Sequence, residues 1–351
     1  MGFMMIFYVS EALCLIYFYF KIKSFKYIKN INNKIIKYLI PLLIILAIYG
    51  ISFINIVIFT IVIAHLTVFM GIGDIIFYFI NRKRDNKIHK YNYFTIGFTV
   101  IYLGISLFFG LKVFKTTYDI KTNKVSSSLR IAQITDSHLG TTFSGEGLYN
   151  YILEIAKNDL DLFVITGDYV DDDTKKSDMV KACSAFSQIK TTYGVYFVFG
   201  NHDKGYYNYR DFSAQDLVNE LEKNGVIVLE DEYVEIGDDY YLIGRQDKTK
   251  KNRMKMEDLT KNLDNKRYRI LLDHQPNDYD NEKGLVDMVL SGHTHGGNII
   301  PINLFVKAAN DQIYGIKEIS GTTFIVSSGI SAWAIPFNNC TIQEYVIINI
   351  N

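Results

Sequence analysis

Cysteine is scarce in this chain of 351 residues: Cys14, Cys183 and Cys340 are the only three, and they lie far apart. That count and scatter exclude a disulfide framework and carry no information about redox compartment. Acidic residues are almost missing from the first 115 positions, which hold Glu11, Asp74 and Asp85 against 13 Lys and Arg, a formal +10. The other 236 residues hold 24 basic and 34 acidic side chains, a formal −10, so the overall balance of zero conceals two opposed parts. This division argues for a membrane unit followed by an acidic soluble domain. It argues against a nucleic-acid-binding surface as the main feature. No internal repeat is evident, and no low-complexity tract beyond a general richness in Ile, Lys, Asn and Tyr.

Polar residues are sparse over long stretches of the basic part. Met1 to Phe20 is apolar apart from Ser10 and Glu11. No basic stretch precedes it and no small-residue cleavage pattern follows, so it reads as a retained span rather than a removed signal peptide. Residues 38–80 would measure about 64 Å as one helix, twice the ~30 Å hydrocarbon core, which calls for two spans joined by a turn near Gly50 to Asn55. The expectation is a transmembrane bundle over 1–115 with about four helices (3–20, 38–54, 56–80, 94–114), three spans being the competing count. A polar linker is expected over 116–129, and the soluble domain over 130–351. Loop 21–37 carries six lysines and no acid, and loop 81–93 carries five basic residues against Asp85. Only four spans put both on one side, which the positive-inside rule assigns to the cytoplasm. Both termini and the soluble domain are then expected outside it, in a multi-pass protein of the cell membrane. Glu11, His65 and Asp74 fall in or near the spans and are read as interfacial or paired groups rather than a transport path.

Five short apolar runs in the second part each end in residues that bind metal through oxygen or nitrogen. Arg130 to Thr135 runs into Asp136-Ser137-His138, and Leu162 to Thr166 into Gly167-Asp168. Val195 to Phe199 runs into Gly200-Asn201-His202-Asp203, Ile270 to Asp273 into His274, and Met288 to Ser291 into Gly292-His293-Thr294-His295. Runs this apolar, rich in Val, Ile and Phe, suit strands buried on both faces. Binding groups in open sheets gather just past the carboxyl ends of such strands. Two carboxylates and four histidines crowded at one rim are costly unless positive charge sits among them. A pair of divalent cations meets that need, and mixed carboxylate, imidazole and amide ligands suit Mn, Fe or Zn better than Ca. A lone histidine at a strand end is usually a satisfied polar residue; five junctions in order are not explained that way.

The order D-x-H, G-D-x-x-D, G-N-H-D, H and G-H-x-H resembles the calcineurin-like metallophosphoesterase superfamily over roughly residues 130–351. The resemblance implies an α/β domain built as a two-sheet sandwich flanked by helices. It implies that Asp136, His138 and His295 hold one metal and Asn201, His274 and His293 the other, with Asp168 bridging. It further implies that His202 is the general acid, oriented by Asp203. Asp171 heads the run Asp171-Asp172-Asp173 and is open to a support role or to a place in a solvated acidic loop. The stretches Gly292 to Asn298 and Val326 to Ile330 resemble a branch of membrane-linked bacterial phosphoesterases and eukaryotic transmembrane metallophosphoesterases. Thr135 stands where that branch has Ser before the first Asp, and Asn338 where it has Arg.

Two metals ~3.5–4 Å apart clamp a phosphoryl group for in-line displacement and acidify a shared water, so that hydroxide attacks near neutral pH. A histidine outside the ligand set suits proton delivery to the leaving oxygen. The expected function is therefore hydrolysis of phosphodiester or pyrophosphate bonds, with membrane lipids or envelope components as candidate substrates and partners. A phosphomonoesterase, a receptor or scaffold that keeps the metal site, and a transporter with a regulatory phosphoesterase domain are the competing readings. Arg245, after the run Tyr241 to Gly244, is read as a surface residue or a phosphate contact. Strands are expected through most of the chain beyond Ile299. The oligomeric state is left open.

Overall fold

The computed structural model describes residues 2–82, 91–206, 210–333 and 335–351, without the side chains of 2–4, 6 and 7. Most of the basic loop 81–93 lies outside the described residues. The chain divides into two compact units, Met1–Ile105 and Ser106–Asn351.

The first unit is helical: α1 (Gly2–Ser24), α2 (Lys26–Lys29), α3 (Lys34–Gly50), α4 (Ile56–Asn81) and most of α5 (Tyr91–Leu111). Asn33 and Asn55 cap α3 and α4, their side chains accepting from Ile36 N at 3.2 Å and Ile58 N at 2.9 Å. The Asn55 cap starts α4 at the break that the sequence places near Gly50 to Asn55. Among the described residues, three segments are long and apolar enough to cross a membrane: Lys34–Phe53, Ile56–Asn81 and Tyr91–Leu111. Large apolar side chains such as Leu43, Ile75 and Ile101 point outward, while Cys14, Phe18, Ile45, Ile63 and Met70 form an inner seam. Two ionisable groups of this unit, Glu11 and Asp74, have polar partners on neighbouring helices. Glu11 accepts from Thr60 Oγ1 at 2.9 Å. Asp74 accepts from Tyr17 at 2.7 Å and Tyr91 at 2.5 Å and forms an ion pair with Lys21.

The second unit alternates strands and helices. In chain order these are β1 (Val113–Ile120), β2 (Leu129–Ile134), α6 (Gly145–Ala156), β3 (Leu162–Thr166), α7 (Lys176–Cys183), β4 (Val195–Val198), α8 (Ala214–Lys223) and β5 (Val226–Val228). The chain continues through β6 (Glu232–Ile236), β7 (Tyr240–Gly244), α9 (Met256–Thr260), β8 (Tyr268–Leu272), α10 (Tyr279–Glu282) and β9 (Met288–Ser291). It ends with α11 (Ile302–Ala309), β10 (Gly315–Ile319), β11 (Thr322–Val326) and β12 (Gln343–Ile350). Two six-stranded sheets result, ordered β1-β12-β2-β3-β4-β5 and β10-β11-β9-β8-β7-β6.

The sheets pack face to face through Ile131, Val164 and Val198 on one side and Leu242, Ile270 and Leu290 on the other, all fully buried. The opposite face of the first sheet, with Ala132, Phe163 and Phe197, lies in one core with Leu148 of α6, Met179 of α7 and Leu217 of α8. Both faces are covered, which is why β2, β3 and β4 read as unbroken apolar runs. β2, β3 and β4 run parallel to one another, as do β8 and β9, so each run delivers its polar successor at its carboxyl end.

Two elements depart from the sequence reading. Where a span to 114 and a linker over 116–129 were expected, α5 stops at Leu111 and β1 occupies 113–120 as an edge strand. Its alternating burial, with Lys115, Thr117 and Asp119 facing out, gives it the polarity of a linker; only pairing with β12, more than 200 residues later, makes it a strand. Where strands were expected beyond Ile299, α11 forms a two-turn helix whose apolar side is not buried.

Register places the site. β1 lies parallel to β12 with Val113 beside Gln343, and β12 antiparallel to β2 with Val346 beside Gln133. The chain leaving α5 thus joins the first sheet at the end where β2 delivers Asp136.

Candidate metal centre

Each expected ligand sits in a loop just after a strand, five of the seven on sharply bent backbone. Asp136, His138, Asp168, His293 and His295 have φ between 36° and 72°, a region few residues other than Gly occupy, Asn, Asp and His more often than the rest. Such conformations cost about 1–3 kcal/mol each and persist where the surroundings over-determine them. Their concentration in three adjoining loops marks a site rather than five separate accidents.

The side chains form two groups of expected ligands, and a third, overlapping group joins His138 to Asp171 and His202. Ligating atoms of Asp136, His138 and His295 lie within 4.8 Å of one another, as do those of Asp168, His274 and His293. Asn201 joins the second group, its Oδ1 lying 3.2 Å from His274 Nε2. Asp168 stands between the groups, with Oδ2 at 3.1 Å from His274 Nε2 and 3.7 Å from His138 Nε2. All seven expected ligands are therefore brought together.

Hydrogen bonding fixes which ring nitrogens face inward. His274 Nδ1 must donate to the Thr166 carbonyl at 2.8 Å, since a carbonyl only accepts. His138 Nδ1 donates to the Asp171 carboxylate at 3.0 Å. In the neutral rings the inward Nε2 atoms then carry lone pairs. His274 Nε2 faces the oxygens of Asp168 and Asn201, and His138 Nε2 faces His295 Nε2 at 3.2 Å. The lone pair of a neutral His274 Nε2 and the oxygens of Asp168 and Asn201 repel unless positive charge lies between them, and outer hydrogen bonds of this kind are how metal-ligating histidines are held. The donor set fits two divalent cations.

The electrostatics agree. Burial opposes ionisation of Asp168, but the imidazoles of His274, His138 and His202 hold it well below the usual carboxylate range. Burial likewise disfavours a charged His274, yet the Asp168 carboxylate outweighs it and raises the pKa to about 10, a proton standing where a cation belongs. Burial pushes His293 and His295 down to about 4, so both are neutral and able to ligate at neutral pH.

His202 lies at the rim and does not meet Asp203. Its Nδ1 donates to Asp171 Oδ1 at 2.9 Å, and Asp171 is thus shared between His138 and His202. Asp203 is fully buried and accepts from the backbone N–H groups of Asp168, Tyr169, Val170 and Gly200 at 2.7–3.1 Å. It clamps the loops after β3 and β4 to each other, and the orienting carboxylate on His202 is that of Asp171. An acidic triplet looks like a solvated loop in sequence, and nothing local distinguishes its first member. Two further residues complete the rim. Trp333, the only Trp of the chain, donates from Nε1 to Asp171 Oδ2 at 2.9 Å, its ring centroid 5.5 Å from that of His202. Tyr206 accepts from Asn201 Nδ2 at 2.8 Å and so turns Oδ1 of Asn201 toward His274. Arg245 is neither at the surface nor free for phosphate: it is buried and bonded to Asp273, Asp278 and Glu282.

Two expected results follow from these contacts. Asp171→Ala removes the acceptor from two imidazoles and should lower metal affinity and turnover about 10–100-fold, the usual scale for outer partners of metal ligands. Asp171→Asn, which keeps one acceptor oxygen, should fall between; metal content by elemental analysis together with kcat checks both. In Gly292→Ala the new Cβ would overlap Thr135 Oγ1 and Asp136 Oδ2. Overpacking costs about 1–3 kcal/mol, and displacement of Asp136 should leave the protein binding fewer metal ions per chain.

Comparison with known proteins decides the family. The calcineurin-like phosphoesterase model matches residues 129–297. A metallophosphoesterase of Helicobacter pylori (strain J99) is 33% identical over 70% of this chain and 67% of its own length. One from Aquifex aeolicus is 30% identical over 66% of this chain and 90% of its own. The chain belongs to the calcineurin-like metallophosphoesterase family. Members are metal-dependent hydrolases of phosphoric esters, and the two side-chain groups are this metallophosphoesterase's candidate sites for divalent ions. A bovine transmembrane protein with a metallophosphoesterase domain is 28% identical over 63% of this chain and 53% of its own length. With three helices apolar enough to span, that likeness suggests membrane association for this metallophosphoesterase too.

Proposed function

We propose that the protein is a multi-pass membrane phosphoesterase that hydrolyses phosphodiester or pyrophosphate bonds at a dinuclear centre. One observation carries the reading: seven side chains form two groups that share Asp168, with His202 poised beside them on Asp171. Asp136, His138 and His295 would hold one cation and Asn201, His274 and His293 the other, with Asp168 common to both; Mn, Fe or Zn suits this mixture. Bound there, the cations supply Lewis-acid polarisation of the phosphoryl oxygens and acidify water. His202 delivers a proton to the leaving oxygen, and Asp171 with Trp333 holds its ring in place. Among the described residues, Arg210 donates from one guanidinium nitrogen to the Asp203 carbonyl and Arg245 is bonded to three carboxylates. This suits a singly charged diester better than a doubly charged monoester.

The test uses the full chain in detergent, loaded in turn with Mn, Fe and Zn. Bis(nitrophenyl) phosphate should be cleaved faster than nitrophenyl phosphate. The reverse order would favour a phosphomonoesterase, and a folded, metal-loaded sample inert to both would leave only a scaffold.

Orientation is a separate part of the proposal. With α1 counted as a fourth span, the basic loops 21–37 and 81–93 share the cytoplasmic side and the phosphoesterase unit lies outside it. A reporter fused after Asn351 should then be active only when exported; activity confined to the cytoplasm would refute four spans.

A further inference from the structure

Helix α11 has its apolar side turned outward. Pro301, Leu304, Phe305 and Ala308 are all exposed and follow the i, i+3, i+4, i+7 spacing of a single helix face. Leu304 and Phe305 are 61% and 75% accessible, the highest values for large apolar side chains among the described residues beyond 112. Ile300, just before the helix, is 51% accessible, and Lys307 flanks the stripe. A soluble domain gains nothing from such a face in water.

The same unit contains the reason. α11 begins five residues after Gly297, which closes the turn bearing His295. The segment leading into it is bonded to Asn339: Asn339 N donates to the Asn298 carbonyl at 3.0 Å, and Ile300 N donates to Asn339 Oδ1 at 3.1 Å. The adjacent Asn338 N donates to the Ser106 carbonyl at 2.8 Å, and Gly110 lies so close to Pro336 that a Cβ would overlap its carbonyl. Ser106 to Leu111 is the end of α5, one of the three helices apolar enough to cross a membrane. The strand register puts that end of the chain at the same end of the sheet as Asp136.

We infer that α11 is an interfacial helix, its Leu304–Phe305 face seated in the surface of the bilayer that α5 crosses. The phosphoesterase site beside it would then work on phosphoesters of amphipathic, lipid-like molecules at headgroup depth. This rests on the phosphoesterase reading above for its substrate class, but not for the seating of α11. Short amphipathic helices lie in this zone by burying one apolar face while a flanking Lys reaches the headgroups. A second copy of the chain or a soluble partner would need no link between the exposed face and the end of a membrane span.

The experiment uses the full chain in phospholipid nanodiscs. Phe305→Trp adds one indole, read as the difference from the wild-type emission. Lys266→Trp, at the opposite end of the strands beside β8, is the control. Acyl-chain-brominated phospholipid should quench most of the Phe305→Trp emission and none of the Lys266→Trp emission, with aqueous acrylamide giving the converse. Quenching of position 305 by acrylamide, or shielding from both agents, would overturn the inference, the latter pointing to a protein partner. This readout needs no catalysis, so it stands or falls apart from the phosphoesterase reading. In a second measurement, Leu304→Glu/Phe305→Glu should raise KM for a bilayer-embedded phosphodiester at least ~10-fold, from lost apolar burial, and leave bis(nitrophenyl) phosphate unaffected. Equal KM values for wild type and variant on the embedded substrate would remove the substrate-class part.

Discussion

Asp168→Asn is expected to lower kcat/KM for a phosphodiester by about 10³-fold, the scale at which electrostatic stabilisation of a transferring group is lost. The change is nearly isosteric. Oδ1 of Asp168 accepts from His202 N at 2.8 Å, and the amide oxygen of Asn keeps that bond, so the loop retains its shape. What disappears is the second oxygen and the charge, placed 3.1 Å from His274 Nε2 and 3.7 Å from His138 Nε2. An amide nitrogen pointing at those positions donates rather than accepts and is no ligand for a cation. Metal content should therefore fall from about two ions per chain to one or none. Activity within tenfold of wild type, with both ions retained, would contradict a shared carboxylate.

His202→Ala should be the second largest loss, and it should depend on the leaving group. General acid catalysis contributes about 10²–10⁴-fold. An alkyl phosphodiester, whose alkoxide leaves poorly without a proton, should lose that full amount. A nitrophenyl diester, whose phenolate departs unaided, should lose far less. Metal content should stay unchanged, because the His202 ring is not in either group assigned to the cations and its own grouping with His138 and Asp171 is closed by hydrogen bonds through Asp171. Equal losses on both substrates would assign His202 to binding rather than proton delivery.

The dependence on Asp171 shows where reading the sequence stops. Asp136, His138, Asp168, Asn201, His274, His293 and His295 are legible because each follows a run buried on both faces, and that burial is written in consecutive apolar residues. Asp171 is not legible. Its contacts to His138, His202 and Trp333 reach 33, 31 and 162 residues along the chain. Asp203 shows the converse, its place beside His202 in sequence suggesting a partner that the fold turns toward four backbone amides instead. β1 and α11 follow the same rule. One is a strand only because β12 pairs with it, and the other is a helix whose apolar face lacks the inward burial that normally accompanies its periodicity.

The order of amino acids alone thus determined the division into a basic apolar part and an acidic domain, the five strand ends and the residue types they carry. Local burial and charge suffice for that. Tertiary structure alone decided which carboxylate holds His202, how the two groups share Asp168, and that β1 enters the first sheet at the end bearing the site. Those are relations between side chains up to hundreds of residues apart, set by strand register and loop packing, and no window of sequence contains them.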